Sequence, residues 1–319
     1  MKRINPFKSI YDACNKGNSM EKLNSLPPFP RYIDLELTNL CNFQCLMCPT
    51  GLGTVKRQKG VMNHNTYKNI LDQITHYKTP VRLIRWGEPF LHPRLIEYVT
   101  ELKHHGSIVH INTNGSMLDE KMIDKLLEIK LDSIKFSFQG IDTISYSETR
   151  NIDFFDELIS RVKLLYAKRG NSILPYIHLS TTTTYETAKQ IELFKKSIKD
   201  YVDLLSIGKT LFNHIDPDET TLDDNKKSLL LYLKSKDTVL RKHVECPEVF
   251  DKLSINWDGT VSACCFDYDN KMLVGDLKTN TLKEIWISKK MMTYRKMLAE
   301  MRHDELPLCS GCYDYTIND

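Results

Sequence analysis

Nine cysteines carry most of the chemistry that spacing alone can suggest in this 319-residue chain. Cys14 stands apart; the others are Cys41/Cys45/Cys48, Cys246, Cys264/Cys265 and Cys309/Cys312. In a reducing compartment, clustered thiols read as metal ligands or catalytic groups rather than as disulfides. The run Cys41-Asn42-Phe43-Gln44-Cys45-Leu46-Met47-Cys48 sets three thiolates at Cys-x3-Cys-x2-Cys spacing on a loop after a strand. Such thiolates can converge on one face of an iron–sulfur cubane. A 4Fe–4S cluster normally takes four cysteines. Three leave one iron free to bind a substrate or cofactor. Zinc is the alternative, but a structural zinc site wants four closed ligands. His64 could supply the fourth, though it lies sixteen residues past Cys48, outside the usual finger spacing.

The elements that must hold these groups alternate. Residues 32–38 read as a strand that delivers the cysteine run. A helix follows over 64–78, with Tyr67, Ile70, Leu71 and Ile74 on one face, and Pro80 ends it. Further strands are expected at 81–86, 108–112, 133–138, 176–182 and 203–207, and helices at 94–105, 119–130, 153–168 and 187–199. Strands alternating with helices imply parallel βαβ units. Right-handed crossovers would roll such a sheet into a full or partial barrel, and a flat doubly wound sheet is the other outcome. Residues 212–245 read as a linker and a helix around Leu229–Leu233. After Cys246, residues 253–257 and 260–264 flank Asp258-Gly259 as a β-hairpin, and one helix is expected over 282–301.

Composition bounds the rest. Hydrophobic residues make up 41% of the chain, enough for a substantial core. No stretch reaches the roughly 18 apolar residues of a membrane helix. Met1 to Ser9 carries basic residues with no apolar segment behind them, so no signal peptide is expected and the cytoplasm is the default compartment. A net charge of +3, spread along the chain, gives no reason to expect a nucleic-acid partner.

The cysteine run and its position after the first strand resemble the radical S-adenosylmethionine (SAM) superfamily. The resemblance implies a partial (β/α)6 TIM-like barrel over residues 31–212, preceded by an extension over 1–30. It implies ligation of a 4Fe–4S cluster by Cys41, Cys45 and Cys48, with SAM on the open iron. SAM cleavage there gives a 5′-deoxyadenosyl radical. Further matches fall on successive strand ends. Trp86-Gly87-Glu88-Pro89 resembles the family's Gly-Gly-Glu-Pro, with Trp86 in place of the first glycine; Gly87 and Glu88 would meet the SAM amino group. Thr113-Asn114-Gly115 ends the third strand. Ser137-Phe138-Gln139-Gly140 resembles Ser-x-Asp-Gly near the SAM ribose, with Gln139 replacing the acid. Arg150 stands where relatives turn an arginine toward the SAM carboxylate, and Met47, where an aromatic is usual, would pack on adenine.

The later cysteines resemble a SPASM domain, the auxiliary-cluster extension of some of these enzymes. A full version has seven cysteines; this chain has five, enough for one cluster. The resemblance implies a small Fe–S-binding hairpin and helix domain over 246–319, after a linker over 213–245. Its auxiliary 4Fe–4S cluster would be held by Cys246, Cys264, Cys309 and Cys312. A zinc knuckle could use the same ligands. Neighbouring strand residues point to opposite faces, so Cys265 is expected either as a structural thiol or as a hydrogen-atom donor facing substrate. Asp267 and Asp269 are candidate bases.

Three functions compete. The first is hydrogen abstraction from a carbinol carbon of a small polyhydroxy substrate (a sugar, cyclitol or aminoglycoside), giving oxidation or epimerisation, with a flavodoxin or ferredoxin as electron donor. The second is maturation of a ribosomal peptide, whose enzymes commonly carry an N-terminal recognition domain larger than the roughly thirty residues before the first strand. The third is a zinc-stabilised binding protein with no activity.

Overall fold

The computed structural model describes residues 3–212, 215–236, 241–312 and 316–318. Six strands, β1 (Tyr32–Leu35), β2 (Val81–Leu83), β3 (Val109–Thr113), β4 (Ser133–Ser137), β5 (Tyr176–Thr183) and β6 (Leu204–Lys209), pair in sequence order and all in parallel. Helices connect each to the next, as parallel pairing requires. The short strand β7 (Arg241–His243) pairs with β11 (Thr316–Asn318). The remaining strands, β8 (Lys252–Ile255), β9 (Thr260–Ser262) and β10 (Leu273–Asp276), extend the main sheet beyond β1.

The complete order is β10-β9-β8-β1-β2-β3-β4-β5-β6. β8 lies parallel to β1, with Tyr32 opposite Lys252, and the β8–β9–β10 pairs are antiparallel. The fold is therefore α/β with a partial, open (β/α)6 barrel, and the C-terminal hairpin is built into its sheet. Gly259 makes the hairpin turn at φ +88°, a conformation few side chains tolerate.

Strands β1 to β5 alternate. Ile33, Leu35, Val81, Leu83, Val109, Ile111, Ile134, Phe136, Ile177 and Leu179 are buried in the single large core beneath the helices. The intervening positions are polar: Asp34 and Glu36, Arg82, His110 and Asn112, Lys135 and Ser137, His178 and Ser180. They meet one another across the opposite face, as in His110 Nδ1 with Ser133 Oγ at 2.9 Å and His178 Nε2 with Ser206 Oγ at 2.9 Å. Closed α/β barrels fill that interior with branched apolar side chains. Here the interior is polar.

Several boundaries differ from the expected ones for local reasons. The helix expected over 64–78 stops at Thr75, and Lys78 turns the chain at φ +47°. The expected helix over 282–301 is two, Leu282–Trp286 and Lys289–Ala299, because Ser288 caps the second by accepting from the Met291 N–H. A helix at Thr143–Arg150 was not expected; Asp142 starts it with a capping box. The N-terminal segment packs against the sheet, where Phe7 is buried with its ring 5.9 Å from His110. The linker helix Asp224–Ser235 buries Leu230 and Leu233 in a small second core with Leu46 and Leu52, beneath the cysteine loop. Among the described residues no helix is long and apolar enough to cross a membrane.

Candidate functional site

One cavity gathers the side chains of four strand ends. Cys41, Cys45, Met47 and Cys48 line it from the loop after β1, and Gly87 and Glu88 from the segment after β2. Asn114 lines it after β3, and Ser137, Gln139 and Arg150 after β4. All ten residues expected there from the sequence are brought together. His64 is not among them; it stacks instead on Tyr67 and Tyr98.

Backbone packing dictates the loop shape. The Leu46 N–H donates to the Thr149 carbonyl at 2.9 Å, tying the cysteine run to the helix that ends in Arg150. Arg150 then reaches back, with Nη1 3.3 Å from Cys45 Sγ and Nη2 on the Ser137 carbonyl. At position 87 a Cβ would lie 2.1 Å from the Thr38 carbonyl oxygen, so only glycine fits. Glu88 is buried and accepts three hydrogen bonds, from the Phe90 N–H at 3.2 Å, Thr113 Oγ1 at 2.8 Å and the Asn114 N–H at 2.7 Å. A carboxylate offers about four acceptor sites, so one remains toward the cavity. Burial pushes the Glu88 carboxyl up to about 7.

The donor set fits an iron–sulfur cluster and SAM. Three thiols share the cavity, and burial pushes Cys41 up to about 12 and raises Cys48. Such thiols need bound cations to stand as thiolates. The Gln139 Oε1 and Arg150 Nε atoms are buried and make no hydrogen bond among the described residues. An acceptor and a cationic donor are thus left for a zwitterionic, hydroxyl-bearing ligand.

A second cavity is lined by Cys246, Cys264, Cys309 and Cys312, the expected auxiliary set, together with Glu248 and His303. Burial raises Cys246 far above its ordinary value and Cys309 to about 12. The backbone at Cys265 differs from the strand expected there. β9 ends at Ser262, so Cys264 and Cys265 lie in a turn rather than on opposite faces of a strand. Their sulfurs and a Glu248 oxygen fall within 4.8 Å of one another. Cys265 Sγ faces Lys252 Nζ at 3.3 Å and Glu248 Oε2 at 3.5 Å and does not line the first cavity. A hydrogen donor needs to reach substrate, so the geometry goes against that role.

Asp267 is also corrected as a base. Its carboxylate is fully buried and accepts from Ser262 Oγ and from the Lys271 and Met272 N–H groups, closing its own loop. Asp269 accepts from the Lys56 N–H at 2.7 Å.

Residues to which the sequence assigned no role join the two cavities. Trp86 lines the first cavity, and its indole N–H donates to the Cys265 carbonyl at 3.1 Å. The Arg85 guanidinium donates to the carbonyls of Cys264 at 3.4 Å and Asp267 at 2.9 Å. Arg57 forms a buried two-pronged ion pair with Glu36, both bonds 2.8 Å, and holds the Tyr268 carbonyl at 2.6 Å. Below them Asp34 bridges Arg82 and Lys252.

The comparisons agree with this division. The model of the radical SAM superfamily matches residues 35–192, and that of SPASM, an iron-sulfur cluster-binding domain, matches residues 246–313. A cofactor-modifying protein of the tungsten-containing aldehyde ferredoxin oxidoreductase of Pyrococcus furiosus is 25% identical over 88% of this chain and 87% of its own. The S-adenosyl-L-methionine-dependent 2-deoxy-scyllo-inosamine dehydrogenase of Niallia circulans is 20% identical over 93% of this chain and 96% of its own. The crystal structure of BtrN with AdoMet and 2-DOIA covers 91% of this chain and 99% of that one, with a TM-score of 0.59 at 18% identity. Streptococcus suis SuiB bound to its precursor peptide SuiA covers 91% of this chain and 72% of that one, with a TM-score of 0.63 at 15% identity. At those identities the two structures share the fold. The matched models and the cavity at Cys41, Cys45 and Cys48 together place the chain in the radical SAM superfamily, as an enzyme with a C-terminal SPASM domain that uses SAM and iron–sulfur clusters.

Proposed function

We propose that this radical SAM enzyme oxidises a carbinol carbon of a small polyhydroxy molecule to a ketone. The observation that carries this is the polar interior of the barrel, where hydroxyl, amide and imidazole groups stand at positions that closed barrels make apolar. Of these, Asn112 and Ser137 line the first cavity, where a sugar, cyclitol or aminoglycoside would find hydrogen-bond partners and an apolar substrate would not. A dehydrogenase of 2-deoxy-scyllo-inosamine among the relatives supports the same substrate class.

Cys41, Cys45 and Cys48 would hold the first cluster, where bound SAM would supply a 5′-deoxyadenosyl radical able to take the carbinol hydrogen. Glu88 receives the SAM ammonium at its free acceptor site, and Arg150 receives the carboxylate. Gln139 takes a ribose hydroxyl, and Met47 covers the adenine. His178 is held well below its ordinary pKa, at about 4, by burial and by Lys135, so it is neutral near pH 7 and offers the interior an uncharged imidazole. Cys246, Cys264, Cys309 and Cys312 would hold an auxiliary cluster, which would supply an acceptor for the electron released on ketone formation, the hydroxyl proton passing to solvent. A flavodoxin or ferredoxin donates the electron that starts each turnover.

Oxidation is favoured over epimerisation because Cys265, expected from the sequence either as a structural thiol or as a hydrogen donor, is turned toward Lys252 and Glu248. Peptide modification is a second reading, supported by the likeness to the SuiB complex. Anaerobic incubation with SAM and candidate carbinols, followed by mass spectrometry, tests the proposal. Loss of two hydrogens from a carbinol supports it. Turnover of peptides alone, or an unchanged mass with inverted stereochemistry, contradicts it.

A further inference from the structure

His303 is a buried imidazole that nothing above uses. It lies in a single turn, His303–Glu305, six residues before Cys309. Its ring lines the same cavity as Cys246, Cys264, Cys309 and Cys312. Only 3% of the residue is exposed, yet neither ring nitrogen makes a hydrogen bond of acceptable geometry among the described residues. One face of the ring is covered by His243, stacked at 5.0 Å and 14°.

A neutral imidazole carries one N–H donor and one acceptor. Leaving a polar group buried without a partner is destabilising. Such an orphan beside four cysteines points to the group those cysteines hold. We propose that His303 donates its ring N–H to a sulfur of the auxiliary cluster and thereby raises the cluster's reduction potential. The inference rests on the four-cysteine cluster proposed above. Hydrogen bonds to cluster sulfurs stabilise the reduced, more negative form. They are therefore a direct way to fit an acceptor to the electron it receives. His303 acts here as a positioning and tuning residue and touches no substrate.

The test uses the full chain with Cys41, Cys45 and Cys48 all replaced by Ala, so that only the C-terminal cluster can form. Iron and sulfide are counted after anaerobic reconstitution, and the potential is read by an EPR-monitored redox titration. His303→Leu should shift the reduction equilibrium at least tenfold toward the oxidised form, which is 59 mV lower for a one-electron couple. His303→Gln, which keeps an N–H donor of similar reach, should stay within about threefold of its parent. A loaded cluster whose potential is the same in His303→Leu overturns the inference. So does an equal shift in both variants, because that shift would come from packing alone. If the parent takes up no iron, the four-cysteine cluster itself is wrong and the inference falls with it.

Discussion

The indole N–H of Trp86 donates to the carbonyl of Cys265 at 3.1 Å, joining the wall of the SAM-side cavity to the turn beside the second group of cysteines. Trp86 stands where the superfamily usually has glycine, so the departure has a structural use. Its ring also packs edge-on against Tyr268, 5.5 Å away. Trp86→Phe keeps the ring and removes the donor. One neutral hydrogen bond is worth about 0.5–1.5 kcal/mol, so ketone formed per 5′-deoxyadenosine should fall roughly two- to tenfold. SAM affinity should not change. Full coupling in Trp86→Phe would mean that the contact carries nothing between the sites.

Glu88 should govern SAM binding. A charge-assisted bond to the SAM ammonium is worth about 1.5–3 kcal/mol. Glu88→Gln should therefore weaken SAM about tenfold or more, read by equilibrium dialysis. Because burial raises its carboxyl to about 7, the acceptor carboxylate is lost as pH falls through that value. SAM affinity of the parent should drop below about pH 7, and that slope should vanish in Glu88→Gln. The same affinity in both proteins would remove Glu88 from the site.

Cys265→Ala should still turn over. The thiol makes weak contacts with Lys252 and Glu248, worth about 0.5 kcal/mol, so activity should change by no more than about threefold. In heavy water the recovered substrate should carry no deuterium at the carbinol carbon. Loss of turnover with 5′-deoxyadenosine still formed would restore Cys265 as a hydrogen donor.

Asp34 should matter for stability rather than chemistry. Burial alone would raise its carboxyl, yet Arg82 and Lys252 hold it well below the usual carboxylate range. Its stabilising contribution is therefore present above about pH 4 and lost as pH falls below that. Asp34→Asn leaves two buried cations short of a partner and should cost about 3–5 kcal/mol. An unchanged thermal unfolding midpoint in Asp34→Asn would show that the network is not structural.

Much of this was legible in the sequence, and the gaps have physical causes. The run Cys41 to Cys48 and the strand-end residues Glu88, Asn114 and Arg150 were found because local spacing and strand order are one-dimensional facts. The polar interior was also written there, as Ile33-Asp34-Leu35-Glu36-Leu37 and Ile177-His178-Leu179-Ser180. Alternation in parallel strands signals one polar face, where runs buried on both faces read as continuously apolar. The turn at Cys264 and Cys265 was missed because β-strand periodicity was carried two residues beyond Ser262. Arg57 and His303 had no local signal at all, and Trp86 showed only as a departure from glycine. Their roles come from contacts with residues tens to hundreds of positions away, such as Arg57 with Tyr268.

Deuterium placed on the carbinol carbon of a turned-over substrate tests the central claim most directly. The account predicts one deuterium in the 5′-deoxyadenosine recovered by mass spectrometry and a ketone that has lost that deuterium and the hydroxyl proton. Unlabelled 5′-deoxyadenosine alongside the same ketone would contradict it.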